Sequence, residues 1–329
     1  MTSQTQKEST IERIEKLKVE LFGLRLPEIR PGDDLVEAIL KAASIDGVKL
    51  QDYDVLVVTS KVLSKALGLL VNIEDVKPSR KAYRIARRAG SDPRFVELLL
   101  RESDGIVVAV PFKKLVEKGV VDVRFLSEEP SKAVKALELY PTIFLTIRDG
   151  MLWSESGIDT SNHPHGVYSI PPRNLDEIAK QISEEIFRRT GKKVAVVISD
   201  TELFPWGAMD VARGSYGIKP VKMEFGEPDS YGKPKFGGVD NIAFVVSSAA
   251  ALLMGQRGEG IPVVIVRGLK YEWSDEGVNK TLAMRMSPKR LLKAFLETVK
   301  HTIIVLGLSI TMSMLMLALK GYKSGEKKL

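Results

Sequence analysis

The chain predicts a mixed α/β fold, on two observations. Short β-branched runs recur along it, and helical patterns lie between several of them. The runs are DVLVVTS at 54–60, GIVVAVP at 105–111, TIFLTI at 142–147, KVAVVIS at 193–199, AFVV at 243–246 and IPVVIVRG at 261–268. Helical patterns occupy 79–103, part of 112–139, 174–190 and 247–254. Strands that alternate with helices gather into a sheet whose faces the helices cover.

Taken in order, residues 11–21 (IERIEKLKVEL) carry apolar positions at i, i+3 and i+4, so 1–23 reads as a helical extension. No apolar run follows Met1, and no targeting signal is visible. The Gly/Pro-punctuated stretch FGLRLPEIRPGDDL then leads into a helix from Asp33 or Asp34. KPSRKAYRIARR at 77–88 reads as a helix that starts after Pro78, has Ser79 near its cap, and exposes a basic face. The charged segment 112–140 looks like a surface insertion in a main domain that spans 24–290. The remainder, 291–329, holds Thr302–Leu319, 18 residues without a charge, followed by a basic tail. A helix of that length reaches about 27 Å, slightly short of a typical ~30 Å hydrocarbon core. It reads as a C-terminal membrane anchor or as a helix buried in a dimer interface, and the chain as a cytoplasmic protein with optional membrane contact through 302–319.

Composition narrows the chemistry. The chain of 329 residues has no Cys and three His, His163, His165 and His301, two of them separated by one residue. Thiolate catalysis, disulfides, Cys-type zinc sites and a three-His metal site therefore drop out. Lys and Arg total 49 against 42 Asp and Glu, a net charge of +7 that suits anionic partners such as phosphorylated small molecules. Nucleic-acid binding would rest on that charge alone and is not expected.

Working residues in α/β proteins sit where strands end. After KVAVVIS come Asp200 and Thr201, and the turn-rich loop GIDTSN at 157–162 supplies Asp159 with hydroxyls and an amide nearby. These hard oxygen donors suit Mg²⁺ or Mn²⁺ bridged to phosphate. TSKVLSK at 59–65 places Lys61 and Lys65 on one helical face, suited to phosphate oxygens. MGQRGEGIP at 254–262 has three glycines in six residues, so backbone N–H groups can approach a ligand closely. It is neither a P-loop nor GxGxxG. His163 and His165 in NHPHG could add a ligand or a base near Asp159, although the intervening Pro164 makes a turn the default.

These pieces resemble the coenzyme F420-0:gamma-glutamyl ligase family. The matching segments are LPEIRPGDDL (26–35), VVTSKVLSKALG (57–68), SDPRFVELLLRES (91–103), GIDTSN, VAVVISDT (194–201), PW (205–206), DVARGSYGI (210–218), DSYGKP (229–234) and MGQRGEGIPVVIVRG (254–268). The resemblance implies that family's mixed α/β fold, with a C-terminal helical appendage here, and a tightly intertwined homodimer. It implies an amide ligase that joins L-glutamate to F420-0 or a related phosphorylated carboxylate, using GTP with Mg²⁺ or Mn²⁺ and optionally K⁺.

Carried over residue by residue, nucleotide contacts fall on Leu26, Pro27, Glu28, Ile29, Ser60, Lys61, Lys65, Asn162 and the loop Met254, Gly255, Gln256, Arg257, Gly258, Glu259, Gly260 and Ile261. Metal ligands fall on Asp159, Asp200, Thr201 and Gln256, with Asp159, Asp200, Lys61 and Lys65 as the catalytic set. The implied chemistry runs through an acyl phosphate and needs no side-chain nucleophile.

Several segments depart from the family pattern. SKALG carries Leu67 in place of an acidic residue, and RDG at 148–150 replaces Arg-His-Gly. LWSESG replaces a small Cys-Ala-Asn-Ala-Gly stretch, ELFPWGAMD loses two basic residues, and an acidic pair is missing around NIAFVV. These departures suggest a divergent member with nucleotide and metal positions kept and an altered acceptor side. The alternative is a non-catalytic GTP- or GDP-binding paralogue, membrane-attached through its tail.

Overall fold

A computed structural model describes residues 18–204, 207–283 and 288–313. The chain divides into two compact units between Ala283 and Met284, seven residues before the boundary expected at 290.

The first unit opens with β1 (Glu20–Leu24), α1 (Leu35–Ile45), β2 (Val55–Thr59), α2 (Ser60–Ala66) and β3 (Leu70–Asn72). Next come α3 (Arg80–Ala89), α4 (Pro93–Glu102) and β4 (Gly105–Val110). The charged segment holds three helices, α5 (Phe112–Glu117), α6 (Val123–Leu126) and α7 (Pro130–Leu139). Then follow β5 (Ile143–Arg148), β6 (Met151–Ser154), β7 (Val167–Ser169), α8 (Leu175–Thr190), β8 (Ala195–Phe204) and β9 (Gly207–Tyr216). The ribbon β10 (Val221–Met223) and β11 (Val239–Asn241) leads into α9 (Ile242–Met254), β12 (Val263–Arg267) and α10 (Val278–Leu282).

The central sheet runs β1-β12-β2-β8-β9. Its one parallel pair is β2 with β8, and every other neighbour is antiparallel. Val55–Val58, Ala195–Ile198 and Val263–Ile265 are wholly buried, as expected of inner strands covered on both faces. The covering helices are chiefly α8 against β8 and β9, and α9 against β12, β9 and β1. A second apolar cluster joins α3 and α4 to Phe144 and Ile158, so the 159 loop sits on a rigid support.

Local chemistry explains the helix ends. Asp34 caps α1 by accepting from the Glu37 N–H at 2.9 Å. Ser79 caps α3 through Ala82, and Gly90 ends that helix at φ 72. Asp92 and Pro93 then start α4, which divides the single helix expected over 79–103.

Three further expectations change. AFVV at 243–246 is helical, because Asn241 caps Phe244 and the apolar run continues with Ala243, Val246, Ser247, Ala250 and Met254 buried at helical spacing. A short apolar run cannot by itself separate a strand from a helix. Glu20–Leu24, placed in a helical extension, pairs instead with β12, while residues 11–17 lie outside the described residues.

The uncharged run also differs from the unbroken helix expected over 302–319. In the second unit α11 (Pro288–Leu306) stops where Gly307 adopts φ 77, helical turns resume over 308–313, and 314–319 lie outside the described residues. Among the described residues no helix is long and apolar enough to cross a membrane.

β9 meets α8 where Gly214 faces the Leu175 backbone. An added Cβ there would lie 2.5 Å from the Leu175 carbonyl carbon and 2.8 Å from its oxygen. Gly214→Ala is therefore expected to destabilise the fold by about 1–3 kcal/mol, read as a lower urea midpoint at unchanged slope.

Candidate active site

The sheet brings four distant segments to one edge. Thr59 and Ser199 form the last parallel pair, where β2 ends while β8 runs on to Phe204, and Leu24 pairs with Val263 where β12 begins. The residues just beyond these points therefore converge. Thr59 N–H donates to Pro262 at 3.0 Å and Leu26 N–H donates to Gly260 at 3.3 Å, tying the glycine loop to both neighbours. The 159 loop is anchored by paired backbone bonds between Asp159 and Ser169.

Together these segments enclose a cleft of about 610 Å³. Its walls include every position carried over from the family resemblance: Leu26, Pro27, Glu28, Ile29, Ser60, Lys61, Lys65, Asp159, Asn162, Asp200, Thr201 and the whole of Met254–Ile261. His163 and His165 are not among its lining residues. Burial lowers the His163 imidazole below its ordinary range, with Lys65 acting in the same direction.

Charge is arranged in pairs. Lys61 Nζ lies 2.6 Å from Asp159 Oδ2 and donates to Ser161 Oγ at 2.5 Å. The Ser161 N–H and hydroxyl donate in turn to Asp159 at 2.7 and 3.0 Å. Burial pushes the Asp159 carboxyl up, but Lys61 and these donors outweigh it and hold the group below its ordinary value. Lys65 lies 2.6 Å from Glu28 and donates to the Asn162 carbonyl at 3.0 Å. Asn162, at φ 57, donates through Nδ2 to the Arg257 carbonyl at 2.9 Å. It thereby links α2 to the glycine loop, where Gly255 (φ 65) and Gly260 (φ 72) adopt left-handed backbone.

Asp200 behaves differently. It accepts from Ser60 Oγ at 3.0 Å and from Thr201 N–H at 2.8 Å, yet burial raises its carboxyl to about 6. The cation nearest in influence is Arg213, the extra residue in β9 where the ladder shifts between Ile198 and Ser199. Arg213 is itself 2% exposed, and burial lowers it to about 10. It pairs with Glu202, donates to the Leu152 carbonyl at 2.8 Å, and stacks 4.0 Å over the Trp153 ring.

Two acidic groups of the cleft were not singled out from the sequence. Asp210 accepts from Thr201 Oγ1 at 2.7 Å and from Gln256 Nε2 at 3.1 Å, drawing together two of the expected metal positions. Its signal was its place at the head of the DVARGSYGI match. Glu155 lines the cleft beside Asp159, and no spacing rule marks it.

Asp159, Asp200, Thr201 and Gln256 line one cleft and offer two carboxylates, a hydroxyl and an amide carbonyl, which is hard-oxygen chemistry suited to Mg²⁺ or Mn²⁺. Among the described residues no group of three or more His, Asp or Glu is gathered as a metal cluster, so the hydroxyl and amide oxygens would have to contribute. With Lys61, Lys65 and the N–H groups of the glycine loop in the same cleft, the arrangement can hold a polyphosphate against two carboxylates.

A model of the F420-0:gamma-glutamyl ligase family matches residues 23–268. The coenzyme F420:L-glutamate ligase of Methanopyrus kandleri is 34% identical over 266 residues, covering 80% of this chain and 92% of that protein. The enzyme of the same name from Methanothermobacter thermautotrophicus is 34% identical over 274 residues, covering 81% and 96%. That from Archaeoglobus fulgidus is 34% identical over 256 residues, covering 77% and 89%.

The raised Asp200 carboxyl fixes the sign of one pH effect. Below about pH 4 folded and unfolded chains both hold the proton, between about 4 and 6 only the folded chain does, and above 6 the folded state bears the cost of the buried charge. Stability from this group therefore falls as pH rises through that window. In metal-free buffer Asp200→Asn should stabilise the protein by up to about 2 kcal/mol at pH 8 and leave it unchanged at pH 3.5, read by denaturant melts.

Proposed function

The chain belongs to the F420-0:gamma-glutamyl ligase family, whose members form an amide bond with glutamate, and from that premise we propose the reaction in detail. The protein joins the amine of L-glutamate to a carboxylate of F420-0 or a related phosphorylated acid in the cytoplasm, at the expense of GTP. The observation that carries this reading is the convergence, in one cleft, of four sequence-distant segments bearing phosphate-binding cations and hard oxygen donors.

A carboxylate does not accept an amine directly, so its oxygen first attacks the GTP γ-phosphorus, releasing GDP and forming an acyl phosphate. The amine then attacks the carbonyl carbon, and phosphate departs with the C–O bonding pair. Lys61 and Lys65, four residues apart on α2, lie against the phosphate chain and offset its negative charge. To reach it they exchange the Asp159 and Glu28 carboxylates for phosphate oxygens. The glycine loop follows the nucleotide with its N–H groups, and Asn162 holds that loop at a fixed distance from α2. Asp159, Asp200, Thr201 and Gln256 would hold Mg²⁺ or Mn²⁺, which supplies charge neutralisation for phosphoryl transfer when bound. K⁺ is a further candidate beside the phosphates.

Incubation with GTP, Mn²⁺, L-glutamate and F420-0 should give a product heavier by one glutamyl unit, detected by mass spectrometry. Lys65→Ala should weaken GTP about tenfold or more, and Asp200→Ala should abolish turnover. GDP bound tightly with no phosphate released from GTP, across a panel of acids and amines, would favour a binding role instead.

The active form is a homodimer. The β10/β11 ribbon bears Phe225 and Phe236, with ring centroids 5.2 Å apart and Phe236 98% exposed, and α9 leaves Val245 and Leu252 exposed. Apolar surface of this kind is covered in a paired molecule. Phe225→Ser with Phe236→Ser should shift the mass measured by light scattering from dimer toward monomer.

A further inference from the structure

The acceptor chemistry leaves one requirement unmet by the residues assigned so far. The glutamate amine arrives as an ammonium and must lose a proton before its lone pair can attack. Lys61 and Lys65 cannot accept it while they hold phosphate, and Asp159 and Asp200 are committed as oxygen donors.

Glu155 is the remaining carboxylate of the 154–159 wall. It makes no ion pair among the described residues, unlike Asp159 beside Lys61 and Glu28 beside Lys65. The backbone that presents it is costly. Glu155, Ser156 and Gly157 take φ values of 51, 56 and 71 in succession, left-handed positions that the first two residues seldom occupy.

The surroundings enforce this turn. Ser156 N–H donates to Thr146 Oγ1 at 3.0 Å, and the two hydroxyls lie 2.9 Å apart. The Ser156 carbonyl accepts from the buried Arg148 at 2.9 Å. A Cβ on Gly157 would lie 2.6 Å from the Trp153 ring and 2.7 Å from Pro171, so the turn cannot relax outward. A strained turn fixed from three sides holds Glu155 in the cleft wall.

We propose that Glu155 is the general base for amide formation, a reading that rests on the ligase reaction above. The Glu155 carboxylate takes a proton from the ammonium. The freed nitrogen lone pair forms the C–N bond, the C–O bond to phosphate breaks, and the protonated carboxyl returns its proton to water after release.

The electrostatic setting suits the task. Burial raises this carboxyl to about 7, reinforced by Asp159 and opposed by the Phe144 backbone N–H. Cations on the neighbouring elements are engaged elsewhere: Arg148 by the Ser156 and Pro171 carbonyls, Arg94 by Asp92 and Glu74, and Lys61 by Asp159. The Tyr168 phenol, itself raised by burial, is the other titratable group in electrostatic range.

Hydroxylamine separates this step from the preceding one, because it reaches neutral pH already unprotonated and traps an acyl phosphate as a hydroxamate. With GTP, Mn²⁺ and F420-0, wild type and Glu155→Gln are each supplied with glutamate or hydroxylamine over pH 5.5–9. The expected result is a fall of at least tenfold in the ratio of glutamyl amide to hydroxamate in E155Q. The acidic limb of the wild-type amide rate, centred near 7, should be absent, and Glu155→Asp should restore part of the ratio. An unchanged ratio, or equal losses of both products, would overturn the assignment and leave Glu155 a structural residue of the turn. Wild-type protein that makes neither product overturns the ligase reading and this one with it.

Discussion

Five parallel residue pairs, Val55 with Ala195 through Thr59 with Ser199, set the level at which β2 ends against β8, and the cleft depends on that register. Ser60 can reach Asp200 only because both follow the last pair directly. The antiparallel β12 lies against β2 and brings the end of the glycine loop to the same level, and β1 delivers Leu26 beside Gly260. Moving any of these strands by one residue would turn a donor away from the cleft, since successive side chains point to opposite faces. Full burial of the inner strands makes such a slip costly, so packing and chemistry are secured by the same constraint.

The cleft carries several acidic side chains, and each is handled differently. Asp159 is neutralised by Lys61 and two Ser161 donors, Asp210 is hydrogen-bonded by a hydroxyl and an amide, and Asp200 is held with Arg213 behind it. Glu155 has only a backbone amide. Carboxylates in one cavity with separated proton affinities can serve different roles at one pH. That separation costs stability at neutral pH, a trade typical of sites built for chemistry rather than rigidity.

Much of this was legible in the sequence, and the omissions have physical causes. The β-branched runs at 54–60, 193–199 and 261–268 became β2, β8 and β12, because inner strands need continuous apolar character. Ser60 and Lys61 follow the end of β2 as expected, whereas Asp200 and Thr201, expected at a strand tip, lie inside β8, which continues to Phe204 against β9. β9 was unreadable, since its first three residues are exposed and its buried stretch carries Asp210, Arg213 and Ser215 into the interior. Asp210 and Glu155 acquire meaning only through partners that are distant in sequence or through backbone conformation. AFVV misled because four apolar residues fit either period, and only Asn241 ahead of them decides for a helix.

The bulge in β9 has a further consequence, for variation in chain length. Ile198 pairs with Gly214 and Ser199 with Ala212, so Arg213 stands outside the ladder while both flanks keep their partners. On either side of it Thr201 stands opposite Asp210 and Val196 opposite Tyr216. The pairing frame of the strand and its charge are thus carried by different residues: losing Arg213 would leave that frame available but take from Asp200 the cation nearest it in influence and from Glu202 its partner.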